Sequence, residues 1–232
     1  METASKDVLF KIALDSELPA LLNWCVSSKK FKEKVCNNDD VWRAKLLKDY
    51  PEYKELDLSF LSPSSLFPLS REKYVFMYQL DYIKKLLNTK KSLKDIFLKK
   101  ELELSNKNLA RIPSLNLPNL EELYVEYNQL TEVPNFNLPS LHFLNLNNNK
   151  LREIPKFNFP SLQNLSLDNN QLTKVPNFNL PSLEVLYLDN NQLTEVPIFN
   201  LPSLLELHLE NNRLTETSKE EIKKRYGNKV KV

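Results

Sequence analysis

From Leu117 to Leu214 the apolar positions recur with a 21-residue step and not with the spacing of any helix. Leu117-Pro118 returns as Leu138-Pro139, Phe159-Pro160, Leu180-Pro181 and Leu201-Pro202. Within one unit, Leu141, Leu144, Leu146 and Leu151 are separated by polar residues. Leu144 and Leu146 alternate as a short half-buried strand does, and Leu141 and Leu151 follow them inward from the adjoining turns. Repetition at this period predicts stacked units, each strand lying beside the next in a parallel sheet.

The polar positions carry as much of the pattern. Asn128, Asn149, Asn170, Asn191 and Asn212 follow each strand at one fixed place. An asparagine there turns the chain while buried, and its amide satisfies backbone groups that a bare bend would leave unpaired. Val133-Pro134, Ile154-Pro155, Val175-Pro176 and Val196-Pro197 come next, followed by the proline that opens the next unit. Two prolines in so short a stretch forbid a regular helix, so extended or 3₁₀ segments are expected on the outer side, with Phe136, Phe157, Phe178 and Phe199 filling its core.

The frame Leu-x-x-Leu-x-Leu-x-x-Asn-x-Leu resembles a leucine-rich repeat. Six repeats are expected over residues 100–217, the first degenerate because Lys107 stands where the ladder asparagine belongs. Ser218-Lys219-Glu220-Glu221 has capping-box spacing and predicts a C-terminal cap helix in residues 218–232, with Ile222 and Tyr226 turned onto the last layer. Lys223-Lys224-Arg225 reads as the solvated face of that helix.

Residues 1–50 have neither the period nor strand alternation, and three or four short helices fit them. Asp7 to Leu14 places Val8, Leu9 and Ile12 on one side, Leu18-Pro19 opens a second segment containing Leu22, Phe31 and Val35 belong to a third, and a fourth begins at Asn38-Asp39-Asp40 and carries Trp42. Cys25 and Cys36 are expected to be reduced, buried small hydrophobes. Asp7-Val8-Leu9-Phe10, Leu18-Pro19 with Leu22, Cys25 through Phe31, and Trp42 with Leu46 together resemble an F-box, although Ser5-Lys6 stand where that family has Leu-Pro. The resemblance implies docking on the Skp adaptor of a cullin-RING ubiquitin ligase through Val8, Leu9, Ile12, Leu18, Pro19, Leu22, Phe31 and Trp42, with the repeats holding a protein substrate. The plainer reading makes these helices a cap on the solenoid.

Residues 51–99 read as a linker followed by a spacer helix from Ser70 to about Leu87, with Tyr74, Met77, Tyr78, Leu80, Ile83, Leu86 and Leu87 inward. That helix is expected to pack against both the bundle and the first repeat. The fold class is therefore α+β, with a small N-terminal helical bundle, a helical linker, a repeat solenoid with its parallel sheet on the concave face, and a capping helix.

Charge sharpens the candidate surface. The formal net charge is only +2, but residues 101–216 hold the excess of carboxylates and the flanking segments the excess of lysine and arginine. Outward positions along the strands include Tyr124, Asn145, Tyr187 and His208, with Phe143 beside them and Glu126, Asp168, Asp189 and Glu210 just beyond. Aromatic anchors next to an acidic stripe select a protein or peptide partner of basic character over nucleic acid. A single glycine excludes phosphate-binding loops. Two cysteines and two histidines far apart make no metal site, and the acidic pairs lie on an open face, so no cofactor and no catalysis are expected. No apolar run is long enough to span a membrane, and the polar opening does not read as a signal peptide, so an intracellular protein is expected, cytoplasmic or in a host cytoplasm, monomeric outside its complex. Near-identical repeats and the Asn, Lys, Leu and Phe bias are compatible with a large DNA virus or an intracellular pathogen. The substrate-recruiting adaptor is one reading, and a leucine-rich-repeat interaction module with a helical cap and no ubiquitin link is the alternative.

Overall fold

The computed structural model describes residues 13, 18–59, 61 and 69–232. The chain divides between Phe97 and Leu98 into two compact units.

The first unit is helical. Helix α1 (Leu18–Ser27) buries Leu18, Leu21 and Cys25 along one stripe. Ser28 caps the single turn α2 (Lys29–Phe31), its hydroxyl accepting from the Phe31 amide at 3.3 Å. That turn widens into a π-turn (Lys32–Cys36), which the sequence pattern did not reveal. Helix α3 (Asp39–Asp49) starts where the Asn38-Asp39-Asp40 run predicts, with the Asn38 side chain accepting from the Asp40 amide at 3.0 Å. Trp42 is fully buried, its indole nitrogen donating to the Cys36 carbonyl at 3.0 Å. After a 3₁₀ turn (Pro51–Glu55), helix α4 (Leu69–Leu86) buries Tyr74, Phe76, Met77, Leu80 and Ile83, while Tyr78, Leu86 and Leu87 are half-buried. Phe76 meets Phe97 edge-on at 5.8 Å, so its ring joins the core although it was not among the expected inward residues. A reciprocal box caps helix α5 (Leu93–Phe97), the Ser92 amide donating to Asp95 and the Asp95 amide to the Ser92 hydroxyl.

The expectation of two reduced thiols is corrected here: Cys25 and Cys36 are joined as a disulfide. The π-turn brings the end of the Lys32–Cys36 segment back against α1, leaving the two Cα atoms 5.8 Å apart, within the span a disulfide bridges. Spacing along the chain could not show that approach.

The second unit is a stack of parallel strands: β1 (Glu101–Glu103), β2 (Glu122–Tyr124), β3 (Phe143–Asn145), β4 (Asn164–Ser166), β5 (Val185–Tyr187) and β6 (Glu206–His208). The central leucines Leu102, Leu123, Leu144, Leu165, Leu186 and Leu207 stand opposite one another and are completely buried. On the outer side Phe157, Phe178 and Phe199 stack at 6.4 and 5.6 Å. Phe136 departs from the expected filled core: it is half-exposed, and the ring series begins one repeat later.

The tail differs from its expected form in two respects. Helix α6 (Glu216–Tyr226) begins ahead of Ser218, because Thr215 is the cap and accepts from the Ser218 amide at 3.1 Å. Ile222 is buried and Tyr226 half-buried, with the Phe199 amide donating to the Tyr226 hydroxyl. Gly227, at φ +59°, ends the helix, and a seventh parallel strand β7 (Val230–Lys231) then pairs with β6. Among the described residues no helix is long and apolar enough to cross a membrane.

Candidate interaction surface

Alternation along each strand buries the central leucine and turns the residues on either side of it to the concave face. One column runs Glu101, Glu122, Phe143, Asn164, Val185, Glu206, and a second runs Glu103, Tyr124, Asn145, Ser166, Tyr187, His208, Lys231. Tyr124 and Phe143 lie with ring centroids 5.0 Å apart, and Tyr187 and His208 at 4.5 Å. Asn145 is half-buried, and Ser166 is buried between its neighbours. Glu101, Glu122 and Glu206, which sequence reasoning did not single out, occupy the same face. The 21-residue register marks them, as each stands two places before a residue of the second column.

A third set, Glu126, Asn147, Asp168, Asp189 and Glu210, follows the strands. After Asn147, Asp168, Asp189 and Glu210 the turn is built by two asparagines in succession. The first of each pair takes a left-handed backbone, with φ of +51° at Asn148, +53° at both Asn169 and Asn190, and +56° at Asn211. Asparagine tolerates that region better than other residues with a Cβ, which is how this chain turns with so little glycine. The second position is the buried one. Asn170 Oδ1 accepts from the Leu151 amide at 3.1 Å, and its Nδ2 donates to the carbonyls of Leu146 at 3.0 Å and Leu167 at 3.1 Å. Asn128, Asn149 and Asn191 repeat this arrangement under cover, and Asn212 does so half-buried at the end of the series.

The left-handed asparagines also hold the acidic column. Asn169 Nδ2 donates to Asp168 at 2.7 Å, and Asn190 Nδ2 to Asp189 at 2.6 Å. Glu126 is followed by Tyr127, which has no amide to offer, and Asn211 donates to Asn190 instead of Glu210. Glu126 Oε2 and Glu210 Oε2 accordingly lack a hydrogen-bond partner among the described residues, although His208 Nδ1 approaches the latter to 3.8 Å.

Electrostatics follow the geometry. Partial burial raises the Asp168 carboxyl above the usual range, opposed by the Asn169 hydrogen bond and reinforced by Asp189. Tyr124 donates to Glu122 at 2.6 Å, and that hydrogen bond, with burial and neighbouring carboxylates, pushes its phenol up to about 12. Glu206 is held below the ordinary carboxylate value by its hydrogen bond to His208 and by Lys231. Two hollows open on the face. One of about 640 Å³ is bordered by Asp168, Tyr187, Asp189, His208 and Glu210, and one of about 360 Å³ by Glu122, Tyr124, His142 and Phe143.

The residues expected to meet an adaptor divide between interior and surface where they are described. Leu18, Phe31 and Trp42 are interior, at 4%, 0% and 0% exposure, while Pro19 is exposed and Leu22 half-buried. Val8, Leu9 and Ile12 lie outside the described residues. Among the described residues no group of His, Cys, Asp and Glu side chains is placed to hold a metal ion.

The sequence pattern of leucine-rich repeats in two copies matches residues 118–159, 139–180, 160–201 and 181–223, so this part of the chain consists of leucine-rich repeats. No curated protein matches the chain significantly. Among solved structures it is similar to YopM of Yersinia enterocolitica at 30% identity over 72% of this chain and 33% of that one, with a TM-score of 0.48. It is similar to a leucine-rich-repeat protein of Leptospira interrogans at 33% identity over 50% and 38%, with a TM-score of 0.38. The leucine-rich-repeat domain of a Shigella effector is similar at 22% identity over 66% and 82%, with a TM-score of 0.34. The chain thus spans well under half of the length of the first two.

Proposed function

We propose that the leucine-rich repeats of residues 118–223, with the flanking strands β1 and β7, form a protein-interaction module that binds its partner on the concave sheet face. The observation that carries this reading is the face itself, where aromatic rings and carboxylates stand in register on a rigid sheet. Leucine-rich-repeat proteins bind protein partners, and ligands placed on regular strands are positioned more precisely than ligands held by loops.

Seven strands about 4.8 Å apart span roughly 29 Å, and three residues of strand add about 10 Å. That footprint is smaller than the roughly 800 Å² per partner of a standard interface. The partner is therefore a short segment of a protein. Docking on a Skp adaptor is not part of this reading, because the family match covers the repeats and not the N-terminal helices.

The test is capture of proteins by the immobilised full chain, comparing the parent with a Tyr187→Ala, Asp189→Asn double variant and an off-face Glu153→Gln control. The expected result is a bound protein lost only in the double variant, with unchanged circular dichroism in all three. Equal capture by parent and double variant removes the concave face from the function.

A further inference from the structure

The aromatic residues of the concave face form two separate pairs and not a continuous stripe. Tyr124 and Phe143 sit across β2 and β3, and Tyr187 and His208 across β5 and β6. Between them the second column passes through Asn145 and Ser166, which are small and neutral. The pairs are three strand spacings apart, about 14 Å. Each has carboxylates at its edge, Glu122 beside the first and Asp168 with Asp189 beside the second. A ring face next to a carboxylate is the chemistry that takes a guanidinium or an ammonium group.

An extended chain advances about 3.3 Å per residue and alternates its side chains. Two side chains on the same side and about 13 Å apart are therefore residues i and i+4. Spacing i+2 falls short at about 7 Å, and i+3 turns the second side chain away.

We propose that the concave face takes a short extended basic segment of a partner protein, with two cationic side chains four residues apart, one seated on each aromatic pair. This rests on the concave face being the binding surface. Charge complementarity selects the occupant, since the two outward strand columns carry Glu101, Glu103, Glu122 and Glu206 against Lys231. The same field repels a phosphate backbone.

The experiment is an anisotropy titration of the full chain with fluorescein-labelled serine-rich undecapeptides. They carry arginines at i and i+4, at i and i+3, at i and i+2, or one arginine alone. Linked engagement of both sites predicts that the i+4 peptide binds about tenfold or more tighter than the others. Tyr124→Ala, Glu122→Gln and Tyr187→Ala, each with an unchanged Tm, reduce it to the level of the single-arginine peptide. Affinity that ignores spacing, or no binding by any peptide, overturns the proposal. If the capture experiment still loses its partner in the Tyr187→Ala, Asp189→Asn chain, the interaction module stands and only the two-cation spacing falls.

Discussion

Asparagine serves two purposes one residue apart in each repeat turn, and both follow from its short amide. At the buried position the amide meets several backbone groups at once. Asn170→Ala would leave the Leu151 amide unpaired under cover, while the Leu146 and Leu167 carbonyls keep a donor in Asn149 and Asn191. One such buried group costs about 1 to 3 kcal/mol, and a loss in that range is expected from urea unfolding. At the left-handed position asparagine eases the backbone geometry, and Tyr127 breaks the series with φ +55°. Its side chain is 56% exposed, so little packing offsets the strain. Tyr127→Asn is expected to stabilise the chain by about 1 kcal/mol, read as a rise in Tm. A fall in Tm would mean that the ring makes a stabilising contact that outweighs the strain. The period exposed the ladder asparagines directly, whereas the strain at Tyr127 follows from a φ value that no spacing shows.

Strands β1 to β6 have only three residues each, too few to stand alone, and β2 to β6 are held through their central leucines by the strands on both sides. Leu144→Ala removes a fully buried side chain from such a layer and should cost about 2 to 5 kcal/mol by chemical denaturation. Helices α3 and α4 depend on a different device. Lys45 is 2% exposed and pairs with Asp49 at 2.9 Å, and Asp49 also accepts from the Tyr74 hydroxyl at 2.8 Å. The burial of this local pair was unreadable from its sequence neighbours, because the Tyr74 ring beside the Lys45 ammonium and the Tyr74 hydroxyl that donates to Asp49 come from helix α4. The disulfide has the same origin in tertiary structure. Thiol titration of the unfolded, unreduced chain should find no free thiol, and reduction should lower the stability of the helical unit by about 2 to 3 kcal/mol, since the bond closes a short loop.

On the scale of the whole molecule, a net charge of +2 conceals an acidic solenoid between basic flanks. Asp168 links that field to pH. Its raised carboxyl means that charging it costs stability, so the penalty is absent below the free-chain aspartate range and grows as pH rises through the folded-state value. Asp168→Asn should therefore raise the urea midpoint at neutral pH, with the gain vanishing near about pH 3, where both forms are neutral. A cationic ligand favours the charged carboxylate, so its affinity should fall on acidification sooner in the parent than in the Asp168→Asn chain.

The repeat period, the strand register, the ladder positions and the acidic outward columns were all present in the sequence, because a stacked repeat turns linear spacing directly into spatial neighbours. Helix α3 was legible for a similar reason, as its cap and first-turn acids are local. What only the tertiary structure decided depends on groups that meet without a fixed spacing. The closure of Cys25 on Cys36, the withdrawal of Phe31 and Trp42 from the surface, the buried Lys45 and the addition of β7 beside β6 all depend on how separate segments pack. The grouping of the concave aromatics into two pairs belongs with them, since the register places the columns but side-chain packing decides which rings touch.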